Sequence, residues 1–315
     1  MRVLLTCPPM LRRIEHFKDH FEARGAEVHC PPVVQTLSVA ELIELLPGFD
    51  GWIIGDDPAT RAVFEAGVRG RLKAAVKWGV GVDNVDFAAA HDLGIPIANT
   101  PAMFGAEVAD VAVSYVTALA RETFTIDRAV RAGGWPKPCG ISLADKIVAL
   151  VGFGDIGKAT ARRLVAAEMR VIAYDPRYAP VSGLEQVEPA GWPERLGEAD
   201  FIVFTCALTP ENRHMLGSAA FGSIKPGVRV VNVARGPLID EQALIAALAS
   251  GRVHSAALDV FEGEPLAADS PLRAYERCIF GSHNASNTAD AVDRASFKAM
   301  ALLFGFLERR QCPPS

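Results

Sequence analysis

Three glycines, Gly152, Gly154 and Gly157, stand in the order G-x-G-x-x-G inside "KIVALVGFGDIGKATARRL". The apolar run before them reads as a strand and the amphipathic run after them as a helix. That context gives each glycine its own task. The first permits a tight turn, the second lets the backbone approach a pyrophosphate, and the third allows close packing of helix on strand. The helix N-terminus then attracts the anion. A second strand-like run, "RVIAY", ends in Asp175, eighteen residues past Gly157, near the spacing at which an acidic residue meets a dinucleotide ribose. A carboxylate there accepts hydrogen bonds from the ribose hydroxyls and repels a 2′-phosphate, so NAD is the expected cofactor. Arg177 keeps NADP as the lesser alternative, and Asp155 adds negative charge in the loop.

Two more side chains are suited to proton and anion chemistry. His283, in "GSHNASNT", reads either as an acid/base group or as a polar residue closing a turn, and alone the turn is the simpler reading. Arg235, in "NVARG", follows the strand-like "VRVVNV", at a strand end where open α/β sheets bind ligands. Its planar guanidinium can hold a carboxylate with two parallel hydrogen bonds and polarise the oxygen beside it.

The elements that would carry these groups alternate along the whole chain. "RVLLT", "AEVHC", "GWIIG", "KAAVKW" and "IPIAN" are strand-like, and helix-like runs separate them. One of these runs, "SVAELIELLPG", opens on Ser38 and Glu41 with the spacing of a capping box. A long helix-compatible segment from Ala106 to Gly133 follows, and a second α/β series runs from Lys146 to His283. The last segment is an amphipathic helix. The expected fold is α/β, with two doubly wound parallel-sheet lobes.

At 315 residues the chain has room for about two domains. Half of its residues are apolar and its net charge is −5, with no basic run that reads as a nucleic-acid footprint. Nucleic acid is therefore not an expected partner. Cys7, Cys30, Cys139, Cys206, Cys278 and Cys312 are scattered, without C-x-x-C or zinc-like spacing, which predicts reduced thiols and no metal site. "MRVLLTCPPM" breaks at prolines too early for a signal sequence, and no apolar run is long enough for a membrane span. The cytoplasm is the expected compartment.

Four further motifs, "GVGVDNVD" (79–86), "NVARGPLID" (232–240), "LDVFEGEP" (258–265) and "SHNAS" (282–286), join the glycine fingerprint and "NTP" (99–101) in one order along the chain. Together they resemble the D-isomer-specific 2-hydroxyacid dehydrogenases, most of all the short-form 3-phosphoglycerate dehydrogenases, which have no regulatory domain after the last helix. The resemblance implies a discontinuous, flavodoxin-like substrate lobe (1–99 plus 288–315). Into it is inserted a Rossmann NAD-binding lobe (100–287). It implies a homodimer. It also implies a catalytic arginine, glutamate and histidine at Arg235, Glu264 and His283. Glu264 rather than Glu262 matches, because Pro265 follows it. A carboxylate beside an imidazole stabilises the imidazolium and fixes the ring. His283 would then protonate the carbonyl oxygen as hydride moves from NADH to C2, and act as base in oxidation. The resemblance also puts Asp259 near the nicotinamide carboxamide. Val80, Ile156, Thr205, Val233, Ala234 and the turn from His283 to Ser286 line the rest of the cofactor site.

The substrate side departs from the phosphoglycerate pattern. Lys77 stands where an arginine is usual, Lys137 at a second basic position, and Gly55, followed by Asp56 and Asp57, at a third. Two lysines could hold a phosphate as point charges, while the Gly55 N–H could bind a substrate carboxylate; Gly79 completes the expected substrate residues. Three readings stay open. The first is 3-phosphoglycerate/3-phosphohydroxypyruvate, the second a glyoxylate- or hydroxypyruvate-type 2-oxoacid reductase. The third, of a different class, is an NADH-responsive scaffold or corepressor without turnover. Glu264 disfavours formate dehydrogenase, which resembles a glutamine there.

Overall fold

In the computed structural model, which describes residues 1–309, the chain forms two compact units: Met1–Met103 with the chain from Asn287 on, and Phe104–Ser286. Cys312 and the 310–315 end of the expected substrate lobe lie outside the described residues.

The first unit runs β1 (Arg2–Leu5), α1 (Pro8–Leu11), α2 (Ile14–Glu22), β2 (Glu27–His29), α3 (Val39–Leu45), β3 (Gly51–Ile54), α4 (Arg61–Arg69), β4 (Ala74–Lys77), α5 (Phe87–Asp92) and β5 (Ile97–Asn99). The expected capping box starts α3: Glu41 N–H donates to the Ser38 hydroxyl, and the Ser38 N–H donates to Glu41 Oε2. The strands pair in parallel in the order β2-β1-β3-β4-β5, the flavodoxin-like arrangement, whose order reverses between β1 and β3. A parallel sheet covered on both faces needs unbroken apolar strands, and Gly51-Trp52-Ile53-Ile54 is buried along its whole length. Trp52, Phe64, Leu4, Leu42 and Val63 form the centre of this core. The chain returns to the other face of this sheet with α11 (Ala289–Arg309). Leu303 of that helix packs against Gly51, and the Trp78 indole N–H donates to Ser296 Oγ at 3.1 Å.

The second unit runs α6 (Gly105–Arg121), α7 (Thr123–Arg131), β6 (Ile147–Val151), α8 (Asp155–Ala166), β7 (Arg170–Tyr174), β8 (Glu188–Pro189), β9 (Phe201–Phe204), α9 (Ser218–Ser223), β10 (Val228–Asn232), α10 (Glu241–Ala249), β11 (Val253–Leu258) and β12 (Ile279–Phe280). Its seven strands are parallel in the order β12-β11-β10-β9-β6-β7-β8. This is the Rossmann arrangement extended by one edge strand. The core on one face of the sheet gathers Ile202, Phe204, Val230 and Leu258 from the strands and Leu244 from α10.

The long helical segment is not one helix. Glu122 takes a left-handed conformation, φ 53° and ψ 32°, that ends α6 and starts α7. Such a conformation costs a non-glycine residue about 1–3 kcal/mol, and here tertiary contacts hold it. The Glu122 carboxylate is buried, 3.8 Å from His254 Nε2 and 3.7 Å from Arg277 Nε. Apolar periodicity runs through the break and gives no sign of it. Among the described residues, no helix is long and apolar enough to cross a membrane.

Candidate active site

The glycine loop joins β6 to α8, and its three glycines differ in what surrounds them. Gly152 has φ +98°, and a Cβ there would lie 2.6 Å from the Cys206 backbone nitrogen. A Cβ on Gly157 would lie 2.1 Å from the Gly152 carbonyl oxygen, so α8 sits directly on the turn. Gly154 is the exception: a Cβ there would meet nothing within 4 Å. The protein's own atoms require glycine at 152 and 157, whereas at 154 the space is open, as a pyrophosphate lying against the backbone needs. Asp155 is the first residue of α8 and lies against Gly105, at the start of α6. Ile156, half-buried in the first turn, accepts the Thr160 hydroxyl at its carbonyl.

Asp175 follows β7. Its Oδ2 accepts from the Phe153 N–H at 2.7 Å and its Oδ1 from the Arg177 N–H at 2.8 Å, which ties the strand end to the glycine loop. Thr205, just after β9, donates to the Val151 and Gly152 carbonyls and steadies the same loop. Burial pushes the neighbouring Cys206 thiol up to about 12, so it stays neutral. These groups fit NAD: an open cradle at a helix N-terminus, with a carboxylate one strand away.

Farther along the sheet the three candidate catalytic residues lie on adjacent strand-end loops. Arg235 comes three residues after β10, with Val233 and Ala234 buried behind it; Asn232 Oδ1 accepts from the Ala234 N–H, and Asn232 Nδ2 donates to the Arg235 carbonyl. Gly236 is pressed against the next loop, since a Cβ there would lie 1.9 Å from the Phe261 carbonyl carbon. That loop carries Glu264, whose Oε1 accepts from the Phe261 N–H at 3.0 Å and whose Oε2 is 2.8 Å from His283 Nδ1. With Nδ1 turned to Glu264, the ring presents Nε2 as its acid/base atom.

His283 has φ +54°, so the turn reading of this residue is also true. Asp259 holds the turn: its carbonyl accepts from the His283 N–H at 2.7 Å, and its buried carboxylate accepts from the N–H groups of Asn284 (3.2 Å) and Ala285 (2.8 Å). Gly281 makes room, since a Cβ there would lie 2.0 Å from Asp259 Oδ1. Tyr115 lies against the same glycine, and its hydroxyl is pushed up to about 12 by burial and then by the charge of Asp259. Ser286 closes the turn, half-buried.

A model of the D-isomer-specific 2-hydroxyacid dehydrogenase NAD-binding domain matches residues 113–285. Over its whole length the chain is 32% identical to a glyoxylate reductase of Korarchaeum cryptofilum, covering 95% of that protein. The chain belongs to the D-isomer-specific 2-hydroxyacid dehydrogenases. Another relative is D-3-phosphoglycerate dehydrogenase 3, chloroplastic, of Arabidopsis thaliana, 38% identical over 86% of this chain and 47% of that one. The chain spans about half the length of the phosphoglycerate dehydrogenases it matches. Among solved structures, the TT0316 protein of Thermus thermophilus superposes with a TM-score of 0.86 at 31% identity, covering 98% of this chain and 97% of that one. As in the family model, the second unit's sheet is an NAD-binding domain.

Against the phosphoglycerate pattern of this dehydrogenase family, the first unit brings one correction. The Gly55 N–H is not free for a substrate carboxylate. It donates to Asp57 Oδ2 at 3.1 Å and lies 3.4 Å from Thr6 Oγ1. A Cβ on Gly55 would also lie 2.6 Å from the Thr6 carbonyl oxygen, so packing alone calls for glycine there. Lys77 ends β4, 3% exposed, and its Nζ donates to the Gly55 carbonyl (2.7 Å) and to Asp56 Oδ1 (3.0 Å). Gly79 N–H donates to Thr100 Oγ1 at 2.8 Å, and half-exposed Val80 offers its carbonyl to Asn99. Lys137 is exposed in the loop after α7.

No local motif in the sequence marks Thr6 or the role of Asp57. Asp57 is fully buried; its Oδ1 accepts from the Leu37 N–H at 2.9 Å and its Oδ2 from the Thr6 hydroxyl. Burial raises its carboxyl, and these donors partly oppose the shift. The available signal was topological, since both residues follow strands on either side of the order reversal.

Proposed function

We propose that the chain catalyses reversible oxidoreduction between NAD(H) and C2 of a short 2-hydroxy/2-oxo acid. The observation that carries this is the 2.8 Å His283–Glu264 pair on a loop packed against the one bearing Arg235. Arg235 grips the substrate carboxylate and polarises the C2 oxygen. His283 gives a proton from Nε2 to that oxygen in reduction and takes it back in oxidation, and Glu264 steadies the charged ring. Bound NADH supplies the hydride that C2 receives. The Phe104–Ser286 unit acts as the cofactor domain and the discontinuous unit as the substrate domain.

The substrate we favour is unphosphorylated, of the glyoxylate or hydroxypyruvate type. The relative matched along nearly its whole length is named a glyoxylate reductase, and Lys77 is already paired. A phosphorylated acid is the second reading, supported by the 38% identity to a phosphoglycerate dehydrogenase. We also propose a cytoplasmic homodimer without nucleic-acid partners. The exposed apolar side chains of Phe124 and Val130 on α7, and of Trp135 beyond it, suit a subunit contact.

The test follows NADH absorbance with glyoxylate, hydroxypyruvate, 3-phosphohydroxypyruvate, pyruvate and 2-oxoglutarate, for the wild type and His283→Ala. Turnover that falls by roughly 10²–10⁴-fold in the variant, with NADH binding intact, supports the reading. NADH binding without turnover of any acid by the wild type would favour a scaffold instead.

A further inference from the structure

In a sheet ordered 2-1-3-4-5, ligands bind outside the carboxyl ends of the strands where the order reverses. In the first unit that place is bounded by Thr6 after β1, by Gly55, Asp56 and Asp57 after β3, and by Lys77 at the end of β4. Asp57 and Thr6 are wholly buried, and their polar atoms are engaged with each other, with Gly55 and with the Trp52 indole N–H. Asn84 Nδ2 bridges the Gly55 and Asp57 carbonyls, which fixes the loop. The cation here is Lys77, 3% exposed. The carboxylate against its ammonium, Asp56, is 41% exposed. The charge that this strand end shows to a ligand is therefore that of the carboxylate.

We propose that Asp56 is a specificity-determining residue: by occupying Lys77 it restricts the enzyme to 2-oxo acids with a single anionic group and rejects those bearing a phosphate. The inference rests on the 2-oxoacid reductase reading above. A buried ammonium that loses its carboxylate partner is left uncompensated, and a substrate phosphate is the obvious replacement. Asp56→Asn keeps an oxygen for Lys77 Nζ while removing the negative charge, so it converts a rejecting position into an accepting one.

The experiment compares kcat/KM for hydroxypyruvate and 3-phosphohydroxypyruvate, with NADH, in wild type, Asp56→Asn and the double variant Asp56→Asn/Lys77→Met. The expected result is a rise of at least tenfold in the phosphorylated-to-unphosphorylated ratio for Asp56→Asn. The gain should shrink in high salt and vanish in the double variant. Inorganic phosphate should become a competitive inhibitor against hydroxypyruvate in the single variant only. Asp56→Ser carries the same expectation should the asparagine variant fold poorly by near-UV circular dichroism. An unchanged ratio with hydroxypyruvate still reduced overturns the inference and leaves the reductase reading standing. A wild type that already prefers the phosphorylated acid overturns the inference together with the unphosphorylated substrate, and leaves only the NAD-linked 2-oxoacid chemistry. A wild type that reduces no 2-oxo acid overturns the functional reading and the inference with it.

Discussion

Replacing Glu264 by glutamine separates the two contacts its carboxylate makes. A glutamine can still turn its amide oxygen to the Phe261 N–H, now bonded at 3.0 Å, and so keep the loop in place. What it cannot supply is the negative charge 2.8 Å from His283 Nδ1. Hydrogen bonds involving a charged group contribute about 1.5–3 kcal/mol, against roughly 0.5–1.5 for neutral ones. With its oxygen on the Phe261 N–H, the glutamine turns an NH2 toward the Nδ1–H of the charged ring and makes no bond there. The change should therefore remove about 1.5–3 kcal/mol, roughly a 10- to 150-fold fall in kcat. Glu264→Ala loses the loop anchor as well and should fall by about 10²-fold or more. The decisive assay is a cycle with His283→Ala at saturating NADH. If the glutamate acts through the histidine, Glu264→Gln should change the residual rate of His283→Ala by less than about twofold. An equal loss in both backgrounds would refute the pairing as the source of the effect.

The glycine loop and the buried ion cluster make two further claims. Gly154→Ala should leave Tm within about 2 °C of wild type while weakening NADH binding at least tenfold by fluorescence titration, because the space a Cβ would fill holds no protein atom. Gly152→Ala and Gly157→Ala should instead cost about 1–3 kcal/mol of stability, since each places a methyl against backbone. His254, which shares its surroundings with Glu122, Arg229, Arg277 and Ser255, is held below its usual value of 6.5 by burial and by the two arginines, against the pull of Glu122. The folded state thus favours the neutral ring. Its contribution is complete above about pH 6.5 and is lost as pH falls through the lowered folded value. Urea midpoints measured from pH 7.5 to 5 should drop less steeply for His254→Gln than for wild type.

What could be read without coordinates was whatever lies close together along the chain. The fingerprint, Asp175 and the Ser38–Glu41 cap each occupy one short stretch, and the motif around His283 named its own partner through the family pattern. The strand and helix alternation carried the fold class for the same reason. The Thr6–Asp57 bond joins residues 51 apart, which meet only because β1 and β3 are neighbours in a parallel sheet. Gly55 looked like a substitution that opened a backbone donor, and only that bond network shows the donor in use. Gly236 and Gly281 hide their purpose similarly, since what a Cβ would strike belongs to another loop. Glu122 is the converse case. Local propensity there favours a continuous helix, and polar partners, His254 from β11 and Arg277, override it.

The return of the chain to its first sheet has a consequence for biosynthesis. All seven strands of the larger sheet lie within one uninterrupted stretch, so that unit can close as soon as its last strand is made. The smaller sheet emerges from the ribosome first but is finished last. The face of β3 and β4 that Leu303 and its helix cover stays bare until synthesis has passed residue 289. At about 5–20 residues per second, that delay is on the order of tens of seconds. During it a nascent chain presents Gly51 and Ile53 of β3, with Ala74 and Val76 beside them on β4, to solvent, the kind of apolar surface that chaperones bind and that neighbouring chains on a polysome can capture.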